Sequence, residues 1–174
     1  MQVSTDSRDR QGTEQRPSAH GHDVCRVLVA DDRDDVRTSL IQLLDQSPDI
    51  QVVAGCSDGD EVLAAAQRTR PHVALLDLSM PRRGGLAAAA DLRAVLPAVR
   101  IIILTGAVDA PAVREAHELG AVGYLLKSED PDALAGHVRS VCRDGTAWDP
   151  GAETVLRAAD LAGGREPAET VTKR

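Results

Sequence analysis

The chain has 174 residues, is 43% hydrophobic and carries a net charge of −7. That length suffices for one domain with a sizeable core plus tails, and the acidic balance argues against an intrinsic nucleic-acid surface, which is usually basic. One Trp, one Tyr and no Phe leave Leu, Val, Ile and Ala to build the core.

Residues 1–23 are polar, rich in Ser, Asp, Arg, Gln and Gly, and show no apolar period; they read as a disordered arm. His20 and His22 lie in that arm, where flexible histidines are more often inert than metal ligands. From Cys25 the pattern changes. Apolar runs of strand length, Val27–Ala30, Ile50–Ala54, Val73–Leu76, Ile101–Leu104 and Val122–Leu126, alternate with segments of helical period. Val36, Leu40, Leu43 and Leu44 share one face of the first predicted helix. Val62, Leu63 and Ala66 mark the second, and Leu86, Ala90 and Leu96 the third. Asp109-Pro111 and Asp130-Pro131 start the fourth and fifth, with Asp as N-cap and Pro in the first turn. Leu134, His137, Val138 and Val141 are the inward positions of the fifth. Strands alternating with helices imply an α/β fold with a parallel sheet covered on both faces.

These repeats end near Gly145, so the expected organisation is an arm over 1–23, one domain over 24–147 and a tail over 148–174. In the tail, Asp149-Pro150 signals a helix start and Gly163-Gly164 a stop; residues from Arg165 onward read as disordered. Cys25, Cys56 and Cys142 are widely spaced and odd in number, with neither a metal-ligand spacing nor a disulfide framework, so reduced thiols are expected. No apolar run reaches membrane-spanning length, and the polar N-terminus has no signal-peptide core. A soluble, cytoplasmic protein is the expectation.

The chemistry gathers at strand ends. Asp31 and Asp32 follow the first apolar run, Asp77 the third, Thr105 the fourth and Lys127 the fifth. In one parallel sheet all five project from the carboxyl edge, where open α/β sheets bind ligands. Mg²⁺ prefers oxygen ligands and often takes one or two carboxylates plus phosphate oxygens. Asp32 and Asp77 suit that role, with the Ser79 backbone carbonyl as a further ligand and Asp31 holding a metal-bound water. Asp77 is also the natural nucleophile, since a carboxylate can form an aspartyl phosphate. Lys127 and Thr105 would then receive the phosphoryl oxygens. Taken singly, each residue has a plainer reading as an N-cap, a solvated turn or a strand-end lysine. Four such accidents on one edge are harder to accept.

Residues 25 to about 147 resemble the receiver domain of two-component response regulators. VLVADD carries the acidic pair, and LLDLSMPRRGG matches the phosphoacceptor strand and loop, with Met80-Pro81 and Gly85 at the family's offsets from Asp77. IIILTG carries Thr105 and GAVGYLLK carries Tyr124 and Lys127. The resemblance implies a doubly wound, flavodoxin-like fold of five strands in the order 2-1-3-4-5. It also implies Mg²⁺ as cofactor, a sensor histidine kinase as phosphodonor, and Thr105 and Tyr124 as switch residues. Ser79 and Ala107 fall where the family tunes dephosphorylation; neither is a strong acid or base, so slow to moderate hydrolysis is expected. Ser128 after GYLLK, where many receivers have Pro, resembles the NarL/LuxR-type subgroup, whose members usually add a C-terminal helix-turn-helix. The tail here is too short for one. A natural stand-alone receiver and a fragment of a longer DNA-binding transcriptional regulator both fit; the polar residues after Gly164 favour a natural end.

Rival chemistries fit less well. A haloacid-dehalogenase-type phosphatase needs a second Asp where Ser79 stands. A flavodoxin-like electron carrier needs a phosphate-cradling loop where Asp31-Asp32 stand, and aromatics around the flavin. A degenerate receiver would lack site residues, and none is missing. The expectation is therefore a phosphorylation switch, not a classical enzyme, that acts through a homodimer or a separate effector and does not bind DNA by itself.

Overall fold

The computed structural model describes residues 24–127 and 131–163. The arm with His20 and His22, Asp130 and the tail from Gly164 lie outside the described residues. Among the described residues, six parallel strands form one sheet in the order β2-β1-β3-β4-β5-β6. They are β1 (Cys25–Ala30), β2 (Ile50–Cys56), β3 (Val73–Asp77), β4 (Arg100–Thr105), β5 (Gly123–Leu126) and β6 (Ala147–Trp148). The helices are α1 (Asp34–Asp45), α2 (Gly59–Thr69), α3 (Gly85–Val95), α4 (Ala110–Glu118), α5 (Pro131–Cys142) and α6 (Pro150–Gly163).

The expected order 2-1-3-4-5 is present, but five strands is corrected to six. β6 is only two residues long and pairs beside β5, Gly123 with Ala147 and Tyr124 with Trp148. A strand that short has no periodicity to read. Trp148, expected to open the tail, is part of the sheet. Beyond it, the Asp149 side chain accepts from the Gly151 amide at 2.7 Å and its carbonyl from the Glu153 amide at 2.9 Å, so α6 starts where Asp149-Pro150 signalled. Ala152 of α6 is fully buried, and Val155 and Leu156 pack on the core.

Alternation along each strand divides the core into two layers. Leu28, Ala30, Ala74, Leu76, Ile101, Ile103 and Tyr124 face the layer under α2, α3, α4 and α6. Val27, Val29, Val73, Leu75, Ile102, Leu104 and Leu125 face the layer under α1 and α5. Burial of both faces explains why the strands read as unbroken apolar runs. The expected inward residues of α5 hold: Leu134, Val138 and Val141 are buried and His137 is half-buried. On α3 the buried face is Gly85, Ala88, Ala89 and Leu92, not the expected Ala90 stripe, because the run Ala87–Ala90 carries no polar–apolar contrast to mark a face.

The cysteine expectation is corrected as well. Cys25 and Cys142 form a disulfide, with Cα atoms 6.2 Å apart across 117 residues of sequence. The fold brings the start of β1 to the end of α5, which spacing alone does not reveal. Cys56 is free and buried, and burial pushes its thiol up to about 11. No helix among the described residues is long and apolar enough to cross a membrane.

Candidate phosphoacceptor site

Parallel strands place their carboxyl ends along one edge, and the acidic residues meet there. Carboxylate oxygens of Asp31, Asp32 and Asp77 all lie within 4.8 Å of one another. Asp31 follows β1 and is fully buried, Asp77 ends β3 at 4% exposure, and Asp32 is exposed. The loop after β1 is fixed by the Arg33 amide donating to Asp31 Oδ1 at 3.0 Å and by the Arg37 guanidinium donating to the Asp31 carbonyl at 2.7 Å. Gly85 lets α3 begin hard against β3: a Cβ there would lie 2.3 Å from the Asp77 carbonyl oxygen.

Lys127, just after β5, reaches across the edge. Its Nζ is 2.6 Å from Asp31 Oδ2 and 3.0 Å from Asp77 Oδ1. The Ser79 amide also donates to Asp77 Oδ1, at 3.3 Å. Burial pushes the Asp77 carboxyl above its ordinary range and Asp31 pushes the same way, against the opposing pull of Lys127 and the Ser79 amide. Burial works to lower the Lys127 ammonium, but hydrogen bonds to Asp31 and Asp77 outweigh it and hold it above its ordinary value. Three carboxylates thus face one ammonium. An all-oxygen donor set with this excess of negative charge fits a hard divalent cation such as Mg²⁺.

Thr105 ends β4 and is buried. Its hydroxyl donates to the Ala107 carbonyl at 3.0 Å and accepts from the Ala107 amide at 3.4 Å. Tyr124 of β5 lies wholly inside the layer under α4. Burial pushes its phenol up, against the pull of the Asp109 backbone and the Thr105 side chain. Asp31, Asp32, Asp77 and Lys127 are therefore one cluster, and Thr105 ends β4 on the same edge of the sheet.

The sequence reading missed one support. Asp58 is buried at the N-cap of α2, accepting from the Asp60 amide at 3.0 Å, and Arg82 Nη2 lies 3.1 Å from its Oδ2. Arg82 adopts a left-handed φ of 53°. This contact ties the loop after Asp77 to the start of α2. Asp58 before Gly59 was legible as a cap; its partner, 24 residues later in sequence, was not.

A family model for the response regulator receiver domain matches residues 27–139, more than half of the chain. The chain belongs to that family. It is 37% identical over 158 residues to the uncharacterized transcriptional regulatory protein YxjL of Bacillus subtilis (strain 168), covering 87% of this chain and 72% of the relative. It is 32% identical over 127 residues to the transcriptional regulatory protein LnrK of the same strain, covering 73% of this chain and 58% of the relative. Among solved structures, a LuxR-family two-component response regulator from Aurantimonas sp. SI85-9A1 superposes with a TM-score of 0.73 at 29% identity, covering 78% of this chain and 97% of that one. The receiver fold and the place of this chain among response regulators of two-component systems, with LuxR-family relatives, agree with the sequence reading. The chain spans between 58% and 72% of the length of these two transcriptional regulators.

Proposed function

We propose that Asp77 accepts a phosphoryl group from a phosphohistidine of a sensor histidine kinase, and that Thr105 and Tyr124 transmit the change. The observation that carries this is the Lys127–Asp77–Asp31 arrangement: a buried nucleophilic carboxylate within 3.0 Å of an ammonium and beside a second acidic group. The Ser79 amide and Lys127 both engage Asp77 Oδ1, which leaves Oδ2 to attack phosphorus. The new O–P bond forms as the P–N bond breaks, and the kinase histidine leaves with the electron pair. Lys127 then meets a phosphoryl oxygen. A Mg²⁺ ion held by Asp32, Asp77 and the Ser79 carbonyl, with Asp31 supporting a bound water, would supply further charge neutralisation for this loose transition state.

The Thr105 hydroxyl, now bonded to Ala107, turns to a phosphoryl oxygen. Tyr124 then repacks into the space that Thr105 leaves. Phosphorylation thereby biases a two-state element through a local charge change. The protein acts as a switch, in the cytoplasm, through a homodimer or an effector that binds the phosphorylated state more tightly.

A second reading is favoured by the relatives. Two are named as transcriptional regulatory proteins, and this chain spans only part of each. In that reading the receiver controls a DNA-binding region of a longer regulator. Incubation with Mg²⁺ and a small phosphodonor tests the first reading, which requires one added phosphate, lost in Asp77→Asn. A gel shift with residues 1–174 bears on output: neither reading allows sequence-specific DNA binding by this chain.

A further inference from the structure

The other edge of the sheet carries a second cluster of reactive groups. Cys25 opens β1 and is buried, whereas Cys142 closes α5 and is partly exposed. His72, exposed just before β3, places Nδ1 4.0 Å from Cys142 Sγ. The same nitrogen accepts the Arg26 amide at 3.2 Å, so the ring is held in place beside the sulfur. Both cysteines and His72 line one open cleft, and Arg70, Arg139 and Arg143 line it too. Arg139 is paired with Asp49 at 2.8 Å, while Arg70 and Arg143 are exposed.

We propose that this cleft is a thiol–disulfide exchange site, in which a small anionic thiol or its disulfide reacts at Cys142 and so opens or closes the Cys25–Cys142 bond. The inference stands apart from the phosphoacceptor reading and rests on none of its residues. Exposure selects the point of attack: an incoming thiolate reaches the sulfur of Cys142, not that of Cys25. Its sulfur bonds to Cys142 Sγ, the Cys142–Cys25 bond breaks, and Cys25 leaves as the thiolate. A second small thiolate attacks the sulfur of the first and releases Cys142. Two small thiols are oxidised to their disulfide, and the protein gains two thiols. Closure is the reverse, with a low-molecular-weight disulfide as oxidant. The reduced Cys142 thiol would lie beside the His72 ring, with its sulfur 4.0 Å from Nδ1. Asp49 and Asp144 line the cleft too, paired with Arg139 and Arg100, which leaves Arg70 and Arg143 as its excess positive charge, and that excess favours an anionic partner.

Disulfides in a reducing compartment are usually transient and redox-sensing, and this one is placed to matter. It ties the end of α5 to the start of β1 and closes a loop over most of the domain. Opening it returns the loop's freedom to the unfolded chain and releases the end of α5.

The test uses residues 1–174 purified without reductant. Non-reducing peptide mapping should find Cys25 joined to Cys142 and Cys56 free. Reduction should lower Tm by roughly 5 °C or more. At equal thiolate concentration, glutathione, which is anionic, should open the bond roughly tenfold faster than cysteamine, which is cationic. The double variant Arg70→Ala, Arg143→Ala should remove most of that preference. In Cys25→Ser, oxidised glutathione should leave a mixed disulfide on Cys142. Three outcomes overturn the proposal: both thiols still free after oxidised glutathione, equal rates for the two small thiols, or zinc retained in equimolar amount by Cys25, His72 and Cys142.

Discussion

Lys127 lies closer to Asp31 than to Asp77, at 2.6 Å against 3.0 Å. Asp31 is the fully buried member of the acidic pair. The lysine thus has a structural duty before any phosphate arrives: it compensates a carboxylate that cannot reach water. A buried charge left without its partner is costly. Lys127→Ala should therefore lose about 2–4 kcal/mol of stability in the absence of divalent cations, and added Mg²⁺ should restore part of it. Thermal melts with and without Mg²⁺ read both effects. An unchanged Tm would mean that the pair is not holding Asp31.

The same relationship separates the two adjacent aspartates. Asp31 is occupied by Lys127 and by the Arg33 amide, whereas Asp32 is exposed at the cluster. Asp32→Ala should weaken Mg²⁺ binding more than Asp31→Ala, since a site with few protein ligands loses most when a direct one goes. Calorimetric titration of both variants checks the order. A larger loss from Asp31→Ala reverses the roles assigned to the pair.

Asp77 carries the opposite thermodynamic sign from a stabilising carboxylate. Burial raises its folded pKa above the unfolded value, so the native state binds more protons between those two values. Stability from this group is present below the unfolded pKa and is lost as pH rises through the folded pKa. Asp77→Asn should remove that slope. At neutral pH without metal it should raise stability, read as a higher Tm than the parent's. Melting curves across the acid range would show a flatter profile for the variant; a variant less stable than the parent at neutral pH contradicts this account of Asp77.

Much of this was legible in the sequence for physical reasons. Strands buried on both faces must be continuous apolar runs, and their carboxyl ends show where Asp31, Asp77, Thr105 and Lys127 converge. Helix starts at Asp109 and Asp149 were readable because an N-cap needs a short acceptor side chain, and both caps form. What stayed hidden was long-range or unpatterned. β6 is too short for a period. The alanines of α3 do not declare a face. Cys25 and Cys142 meet only because the sheet brings β1 and α5 together, and Arg82 finds Asp58 only because both loops crown the same edge.

β6 also supplies a reporter. Trp148 is the single tryptophan, it pairs with Tyr124, and its ring lies 5.8 Å from that of His117 on α4. A rearrangement running from Thr105 through the α4 layer must alter its surroundings. Phosphodonor with Mg²⁺ should change Trp148 emission in the parent. In Thr105→Ala the phosphate should still be accepted, with most of the emission change lost. An equal change in that variant would show that the signal does not pass through Thr105.

The proposed switch depends on an acyl phosphate forming at Asp77. Intact-mass spectrometry of residues 1–174 after incubation with acetyl phosphate and Mg²⁺ tests it most directly. One phosphate should be added to the parent, none to Asp77→Asn and none when the cation is chelated. Undiminished phosphorylation of Asp77→Asn would contradict it.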